Sequence, residues 1–303
     1  MSEVAAGTTE GGRAQADSPG PAILLDELHR DDPVLSVELR PPRSDLDAAG
    51  SMEAWIDMHH AVRRITRAGS FVFLTDNAVG ESEEENLGHL TANLSGEVDF
   101  GRLVPFLTCK HPLDYCLLYA ERAAANGFEA LTVVGGDKEV GPPRCVEHAY
   151  QLREMIRDRV PELVLGGWAN PHRSAERQVE YLLRDDAHAD YFLTQVVSHH
   201  HADQVEAFVE EAERRGLEVP GVFGVFYYRS ANPKTLARLG EFFPVPAEEL
   251  TREFDAGATP DEICLRSIRA LRDAGARHIY VSNLGLRRAP RRLEALMEAA
   301  GAS

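Results

Sequence analysis

Glu38 lies within a short apolar segment, which reads Val-Leu-Ser-Val-Glu-Leu over residues 34–39. Burying an ionised carboxylate is costly unless the group is paired or used. Burial also favours the protonated form of a carboxyl group, which suits a general acid. An ion pair with Arg40 or Arg43 is the alternative explanation, and the residue types alone leave both open.

Polar residues end several other apolar segments of the chain. They are Thr75, Thr108, Asp137, Gln195 and Asn283. In barrel enzymes, residues at the C-terminal ends of parallel strands form the active site. We therefore expect these side chains to share one site with Glu38.

Strand and helix signals alternate along the chain, so each of eight apolar strand segments precedes a helical pattern. The predicted strands cover residues 34–39, 71–75, 103–108, 130–134, 163–168, 191–197, 221–226 and 277–282. The predicted helices cover residues 52–68, 82–94, 112–126, 146–160, 175–183, 202–215, 233–242, 247–254, 260–274 and 290–300. This alternation predicts an α/β fold, a single (β/α)8 TIM barrel, with an open parallel sheet as the alternative.

Length and composition are consistent with one barrel domain. The chain has 303 residues and 44% hydrophobic content, and a barrel of this kind needs about 250 residues. Residues 1–20 are rich in small and polar side chains, so we expect a disordered tail before a barrel domain at residues 21–303.

The charge and the cysteine content narrow the class of protein. A net charge of −17 disfavours nucleic acid and anionic membrane partners. The chain has 4 cysteines without metal-site spacing, no secretory signal and no long apolar segment. We therefore expect a cytoplasmic protein with reduced thiols and no membrane span, and leave open whether it forms a homo-oligomer.

Six short motifs resemble those of the methylenetetrahydrofolate reductase family, and they occur in consistent order between about residue 33 and residue 285. The matching motifs are Ser-Val-Glu-Leu-Arg-Pro-Pro around Glu38, Phe-Val-Phe-Leu-Thr-Asp-Asn ending at Asn77, Pro-Phe-Leu-Thr-Cys around Thr108, Gly-Gly-Asp at Asp137, Leu-Thr-Gln at Gln195, and His-Ile-Tyr-Val-Ser-Asn ending at Asn283. The resemblance implies an oxidoreductase that forms 5-methyltetrahydrofolate from 5,10-methylenetetrahydrofolate with hydride from NADH or NADPH.

The resemblance also implies roles for individual residues. Glu38 corresponds to the general acid, and Asp137, Gln195 and Tyr280 correspond to folate-binding positions. An aspartate in a Gly-Gly-Asp turn can instead satisfy backbone groups, and a tyrosine in a strand can simply pack. The cofactor-binding positions that we expect are Thr75, Thr108, Gln195, Gly224 and Phe226.

Several positions depart from the flavin-binding pattern of the family. Phe106 stands where the family usually has histidine, Asp76 where it often has an aromatic residue, and Gly135 where it has arginine. A phosphate-bearing cofactor would lose a cation at position 135.

The helix after the fifth strand also departs from the family pattern. Expected flavin contacts fall on Arg177, Glu180 and Leu183, whereas Arg184 stays basic. A glutamate near a diphosphate would be repulsive. We therefore predict direct hydride transfer without FAD. A FAD-dependent reductase, a one-carbon transferase that binds pterin and a non-catalytic pterin-binding protein are the alternatives.

Three consecutive histidines, His199, His200 and His201, suggest a metal site at first sight. Neighbouring side chains are expected to point in different directions, and no further acidic or cysteine ligand completes a convincing set. We therefore expect a solvated loop and no metal ion.

Overall fold

The computed structural model describes residues 22–76, 87–136 and 141–301. Within them, eight parallel strands close into a barrel in chain order, which confirms the predicted TIM barrel. The strands are β1 (Leu35–Leu39), β2 (Val72–Leu74), β3 (Leu103–Thr108), β4 (Ala130–Val134), β5 (Val164–Ala169), β6 (Tyr191–Val196), β7 (Gly221–Phe226) and β8 (His278–Ser282). Asp137 and the predicted tail at residues 1–20 lie outside the described residues.

One short helix precedes the first strand and one helix follows the last strand, whereas the others lie between consecutive strands. The described helices are α1 (Ile23–Leu28), α2 (Ala48–Arg67), α3 (Leu87–Leu94), α4 (Leu113–Ala125), α5 (Ala149–Arg159), α6 (Ala175–Leu182), α7 (Ala202–Arg214), α8 (Pro233–Gly240), α9 (Ala247–Asp255), α10 (Pro260–Asp273) and α11 (Ala289–Ala300). Both helices predicted between 247 and 274 are present as α9 and α10. None of the described helices has the length and apolar character that a membrane crossing requires.

Alternation along the strands separates two apolar layers. Outward-facing residues such as Val37, Leu74 and Val133 pack with the surrounding helices in one buried cluster. Inward-facing residues such as Phe73 and Tyr280 form a second cluster inside the barrel. Because side chains alternate in a strand, Glu38 lies on the inner face, between outward-facing Val37 and Leu39.

Helix α1, which the sequence did not predict, packs at the N-terminal end of the barrel. Leu24 and Leu28 are buried in the inner cluster together with Phe71 and Phe73. The backbone N–H of Ile23 donates to the Glu129 carboxylate at 2.8 Å, just before β4. Together, α1 and the inward side chains fill this end of the barrel.

The four cysteines are free thiols, as expected from the sequence. Cys109, Cys116 and Cys264 are buried, and burial raises the pKa of the Cys109 thiol to about 12. The neutral thiol therefore predominates there, so Cys109 behaves as a packing residue of the core.

Candidate active site

A cavity of ≈ 780 Å³ is lined by side chains at the C-terminal ends of the strands. One side is polar and charged, with Glu38, Arg40, Asp76, Thr108 and Arg144 among its residues. The other side is mostly apolar and comes from the segment after β7 and from α8. This volume and this mixture are typical of small-molecule sites.

Glu38 lies in the wall of the cavity at the end of β1. The hydroxyl group of Ser282 donates to its Oε1 at 2.6 Å. Burial raises the pKa of the Glu38 carboxyl, while the Ser282 hydrogen bond and the charge of Arg40 oppose that shift. A carboxyl group with a raised pKa in a pocket has the properties of a general acid.

Thr75 and Thr108 both line the cavity, as predicted, but Thr108 already has a carboxylate partner. Asp76 Oδ2 accepts the backbone N–H of Thr108 at 2.7 Å and its hydroxyl at 2.8 Å. His111 Nε2 lies 2.8 Å from the same oxygen. This hydrogen bond to Asp76 raises the pKa of His111, so the pair favours the imidazolium form.

Gln195 and Tyr280 also line the cavity, whereas Gly224 does not. The side-chain oxygen of Gln195 accepts the backbone N–H of Val196 at 2.9 Å. The hydroxyl of Tyr280 donates to the backbone carbonyl of Thr194 at 2.6 Å, and the ring is fully buried. Tyr280 therefore forms the base of the cavity and is anchored by packing and by its hydroxyl.

Gly224 serves the packing of Tyr280. A Cβ atom at position 224 would lie 2.5 Å from the Tyr280 Oη and 2.6 Å from its Cζ. Only glycine leaves room for this ring inside the barrel. Gly224 therefore influences a ligand in the cavity only by allowing the Tyr280 ring to occupy its position.

The aromatic segment after β7 divides between the cavity and the outer layer. Phe226 and Tyr228 line the cavity, and the Phe226 ring lies 5.2 Å from that of Phe243. Tyr227 points away from the cavity, where its hydroxyl donates to Asp261 at 2.6 Å. Phe226, a predicted cofactor-binding position, therefore faces the cavity, whereas Tyr227 does not line it.

Four arginines, Arg40, Arg144, Arg173 and Arg229, line the cavity, against two carboxylates among the described lining residues. The site is therefore more basic than a chain with a net charge of −17 would suggest. Such a local field attracts carboxylate or phosphate groups.

Arg144 changes one conclusion drawn from the sequence. Its guanidinium Cζ lies 2.7 Å from where a Cβ of Gly135 would be, and it donates to the backbone carbonyl of Gly136. The expectation that the site lacks a cation at this point is therefore wrong. Arg144 belongs to the loop before α5. It lies nine residues after Gly135 in the sequence, outside the Gly-Gly-Asp motif that was compared.

The predicted flavin-contact positions on α6 and directly after it do not line this cavity. Arg177, Glu180, Leu183 and Arg184 are all missing from the described lining of the cavity. Arg184 instead pairs with Asp186, with a nitrogen–oxygen distance of 2.7 Å. The expected repulsion between Glu180 and a diphosphate therefore has no bearing on this cavity.

Ser282 and Arg229 escaped the sequence reasoning, whereas Asn283 was predicted and lines the cavity. Ser282, the partner of Glu38, lies two residues after inward-facing Tyr280, so alternation and β1–β8 pairing could have found it. Asn283 has a positive φ of 69°, and its side-chain N–H donates to the Tyr227 carbonyl at 3.0 Å. Arg229 donates to the Asn283 carbonyl at 3.0 Å, which no local pattern predicts.

Comparison with known proteins supports the fold at low sequence identity. No protein-family model matches the chain, and no curated protein matches it either. An uncharacterized protein from Clostridium thermocellum that binds two copies of 5-methyl-5,6,7,8-tetrahydrofolic acid is 16% identical, with a TM-score of 0.63 over 92% of this chain and 100% of that one. An F420-dependent secondary alcohol dehydrogenase in complex with an F420-acetone adduct is 12% identical, with a TM-score of 0.52 over 89% of this chain and 99% of that one.

These identities show a common barrel fold and do not identify a family. The resemblance to the methylenetetrahydrofolate reductases therefore stays a prediction based on the motifs. The roles of individual residues have to be argued from the cavity itself.

Proposed function

We propose that this protein reduces 5,10-methylenetetrahydrofolate to 5-methyltetrahydrofolate with hydride from NADH or NADPH, with Glu38 as the general acid. The observation that carries the proposal is a carboxyl group of raised pKa in the wall of a large cavity, held by the Ser282 hydroxyl at 2.6 Å. The order of family-like motifs and the methyltetrahydrofolate bound by a similar barrel point to the same substrate class.

The cavity suits a reduced folate in its shape and charge. Aromatic side chains on one side, Phe226 and Tyr228 among them, offer faces for flat rings. Arginines such as Arg173 at the mouth offer partners for the glutamate carboxylates. Gln195 can donate and accept hydrogen bonds at a pterin edge or a carboxamide.

The proton of Glu38 is used in the first chemical step. The five-membered ring of methylenetetrahydrofolate opens when the carbon–nitrogen bond of the departing nitrogen breaks, and that nitrogen takes the proton. The bridging carbon becomes part of an iminium, and a hydride from the nicotinamide, which carries two electrons, reduces this iminium to the methyl group and leaves oxidised nicotinamide. General acid assistance of this kind contributes about 10² to 10⁴ in rate.

Direct transfer requires the donor and acceptor carbons to lie about 3 to 3.5 Å apart. We infer that the nicotinamide shares the cavity with the folate, because no Rossmann fingerprint opens any predicted helix. Arg144 is suited to a phosphate oxygen of the dinucleotide, since its guanidinium group occupies the space over Gly135.

A FAD-dependent reductase is the second candidate, and Arg144 is the observation that favours it. The same guanidinium group could bind the diphosphate of a flavin, which when bound supplies a hydride relay. Purified protein with a flavin absorption spectrum would support this candidate. If transfer is direct, deuterium from the C4 position of labelled NADH is retained in the product methyl group.

The role of Glu38 is tested by Glu38→Gln, which keeps a hydrogen-bond acceptor for Ser282 but cannot donate an acidic proton. We expect folate-dependent NAD(P)H oxidation to fall by about 10² to 10⁴ while methyltetrahydrofolate still binds. Glu97→Gln, at an exposed glutamate paired with Arg63, is the matched control and should keep full activity.

The same assay separates the proposed reductase from the functions without redox chemistry. A non-redox transferase would bind folate but show no folate-dependent NAD(P)H oxidation in the wild-type protein. A non-catalytic binding protein would show neither turnover nor sensitivity to Glu38→Gln. Unchanged turnover in Glu38→Gln would exclude the proposed role of this residue.

A further inference from the structure

The three consecutive histidines form a single 3-10 turn, His199–His201, between β6 and α7. All three are partly buried, so the predicted solvated loop is wrong. The rings of His199 and His200 lie 3.9 Å apart with an angle of 38° between their planes. The expectation that these neighbours point in different directions is therefore wrong as well.

Glu253 of α9 faces both of these rings. Its Oε1 lies 3.0 Å from His199 Nε2, and its Oε2 lies 3.5 Å from His200 Nε2. One ligand atom from each of the three residues lies within 4.8 Å of the others, an arrangement that no other histidine, cysteine or acidic group among the described residues matches. In a tetrahedral zinc site with ligands at about 2.0–2.2 Å, neighbouring ligand atoms are roughly 3.3 Å apart.

Hydrogen bonds around His199 indicate which ring nitrogen carries the proton in the neutral form. Ser267 Oγ donates to the backbone carbonyl of Ile263 at 3.2 Å and accepts the backbone N–H of His199 at 3.3 Å. Its remaining capacity is to accept from His199 Nδ1, which lies at 3.0 Å. In neutral His199 the lone pair of Nε2 therefore faces Glu253 Oε1 at 3.0 Å, and this contact is favourable only with a proton on Nε2 or with a cation bound beside the two atoms.

Two atoms of the cluster are buried and lack hydrogen-bond partners among the described residues. They are His200 Nε2 and Glu253 Oε2, which face each other across 3.5 Å. Buried polar atoms without partners are rare, and each one suggests a missing water or ion. A cation bound between the histidine nitrogens and the carboxylate would give a partner to both His200 Nε2 and Glu253 Oε2.

The hydrogen bonds that Ser267 and Arg266 make to the candidate ligands are typical of residues surrounding a metal site. Metal-binding histidines commonly donate their second N–H, as His199 does to Ser267, and metal-binding carboxylates are commonly hydrogen-bonded. Arg266 Nη1 donates to Glu253 Oε1 at 2.7 Å, so Oε2 is the oxygen left for an ion. Imidazole ligands favour zinc-class metals over calcium or magnesium.

We propose that His199, His200 and Glu253 bind one divalent transition-metal ion of the zinc class, with water as a further ligand. None of these residues lines the main cavity, so the ion joins α9 to the turn after β6 and takes no part in the reaction. Gln195 lies four residues before His199, and the ion therefore restrains the end of the strand that presents it to the cavity.

The test uses the full-length protein, stripped of metal with a chelator and then titrated with Zn²⁺ or Co²⁺. We expect one equivalent to bind, a rise in Tm of several degrees, and the visible Co²⁺ absorption of a four-coordinate site. His200→Gln and Glu253→Gln should each weaken binding by more than about 100-fold, and Ser267→Ala by about 10- to 100-fold. His201→Gln, at the neighbouring histidine outside the ligand set, should bind normally.

The competing explanation is a metal-free ion pair between Glu253 and Arg266. In that case neither metal raises Tm, and Glu253→Gln and Arg266→Gln lower Tm equally in chelator. That result would overturn the proposal, as would equal metal affinity in the wild type, His200→Gln and His201→Gln. Circular dichroism spectra of each variant show whether lost binding reflects the site or a failure to fold.

Discussion

Substitution of Ser282 by alanine should change the pH dependence of the reaction without changing its mechanism. The Ser282 hydroxyl donates to Glu38 Oε1 at 2.6 Å, and this bond lowers the Glu38 pKa against the opposing effect of burial. In Ser282→Ala the pKa of Glu38 rises further, so the protonated acid persists to higher pH.

The size of the effect follows from the strength of this bond. A hydrogen bond to a charged group contributes about 1.5–3 kcal/mol, and about 1.4 kcal/mol changes an equilibrium tenfold. The neutral acid also keeps part of the bond, so the lower end applies. We expect the rate on the alkaline limb of the kcat/KM profile to increase about tenfold at a given pH, with an unchanged plateau at low pH.

Ser36→Ala is the matched control for this experiment. Ser36 is also a buried, inward-facing serine of the same barrel region, but its hydroxyl donates to the Ile279 carbonyl at 3.1 Å. Its pH profile should coincide with that of the wild type. If the alkaline limb of Ser282→Ala does not move, or moves to lower pH, Glu38 is not the proton donor that limits turnover.

Three further variants probe packing, charge and anion binding. Gly224→Ala forces a Cβ to within 2.6 Å of the buried Tyr280 ring, and overpacking of about 1–3 kcal/mol should lower the urea midpoint. The Asp76 hydrogen bond raises the His111 pKa above 6.5, so its stabilisation is complete below that pH and is lost as pH rises through the folded-state pKa. His111→Gln should therefore flatten the alkaline decline of Tm in scanning calorimetry. Arg144→Gln removes charge-assisted hydrogen bonds of about 1.5–3 kcal/mol and should raise the KM for NAD(P)H at least about tenfold, with little change in the KM for folate in steady-state assays.

Each of these variants has a control or a contradicting result. Gly240→Ala, where nothing lies within 4 Å of the new Cβ, should not lower the urea midpoint. Arg184→Gln lies outside the cavity and should leave both KM values unchanged. An alkaline decline of Tm that is as steep in His111→Gln as in the wild type contradicts the proposed pair with Asp76.

The barrel could be predicted from the sequence because its signals are local. Each strand is a short apolar run and each helix has its own periodicity, so the order of elements follows without long-range information. Helix α1 was missed because its six residues are too few for a periodic pattern. Its burial depends on Phe71 and Phe73, which lie more than 40 residues away.

The candidate site could be predicted where its residues lie on a strand or directly after one, as Thr75 and Asn283 do. Glu38, Gln195 and Tyr280 occupy strand positions, and all three line the cavity. Arg144 comes from a loop, and nothing in its neighbouring residues indicates that it reaches Gly135.

The prediction for the histidine turn was wrong for the same reason. Its acidic partner, Glu253, is more than 50 residues away and belongs to another helix. Contacts between loops and distant helices depend on the assembled fold, so local sequence patterns do not specify them.

The packed floor that α1 provides has a kinetic consequence. With Leu24 and Leu28 sealing the far end, reactants and products have only the opposite mouth for traffic among the described parts of the barrel. If two ligands bind through the same opening, the one bound nearer to the opening prevents the other from dissociating. Under the proposed reaction, excess folate should therefore obstruct the exchange of spent nicotinamide and produce substrate inhibition.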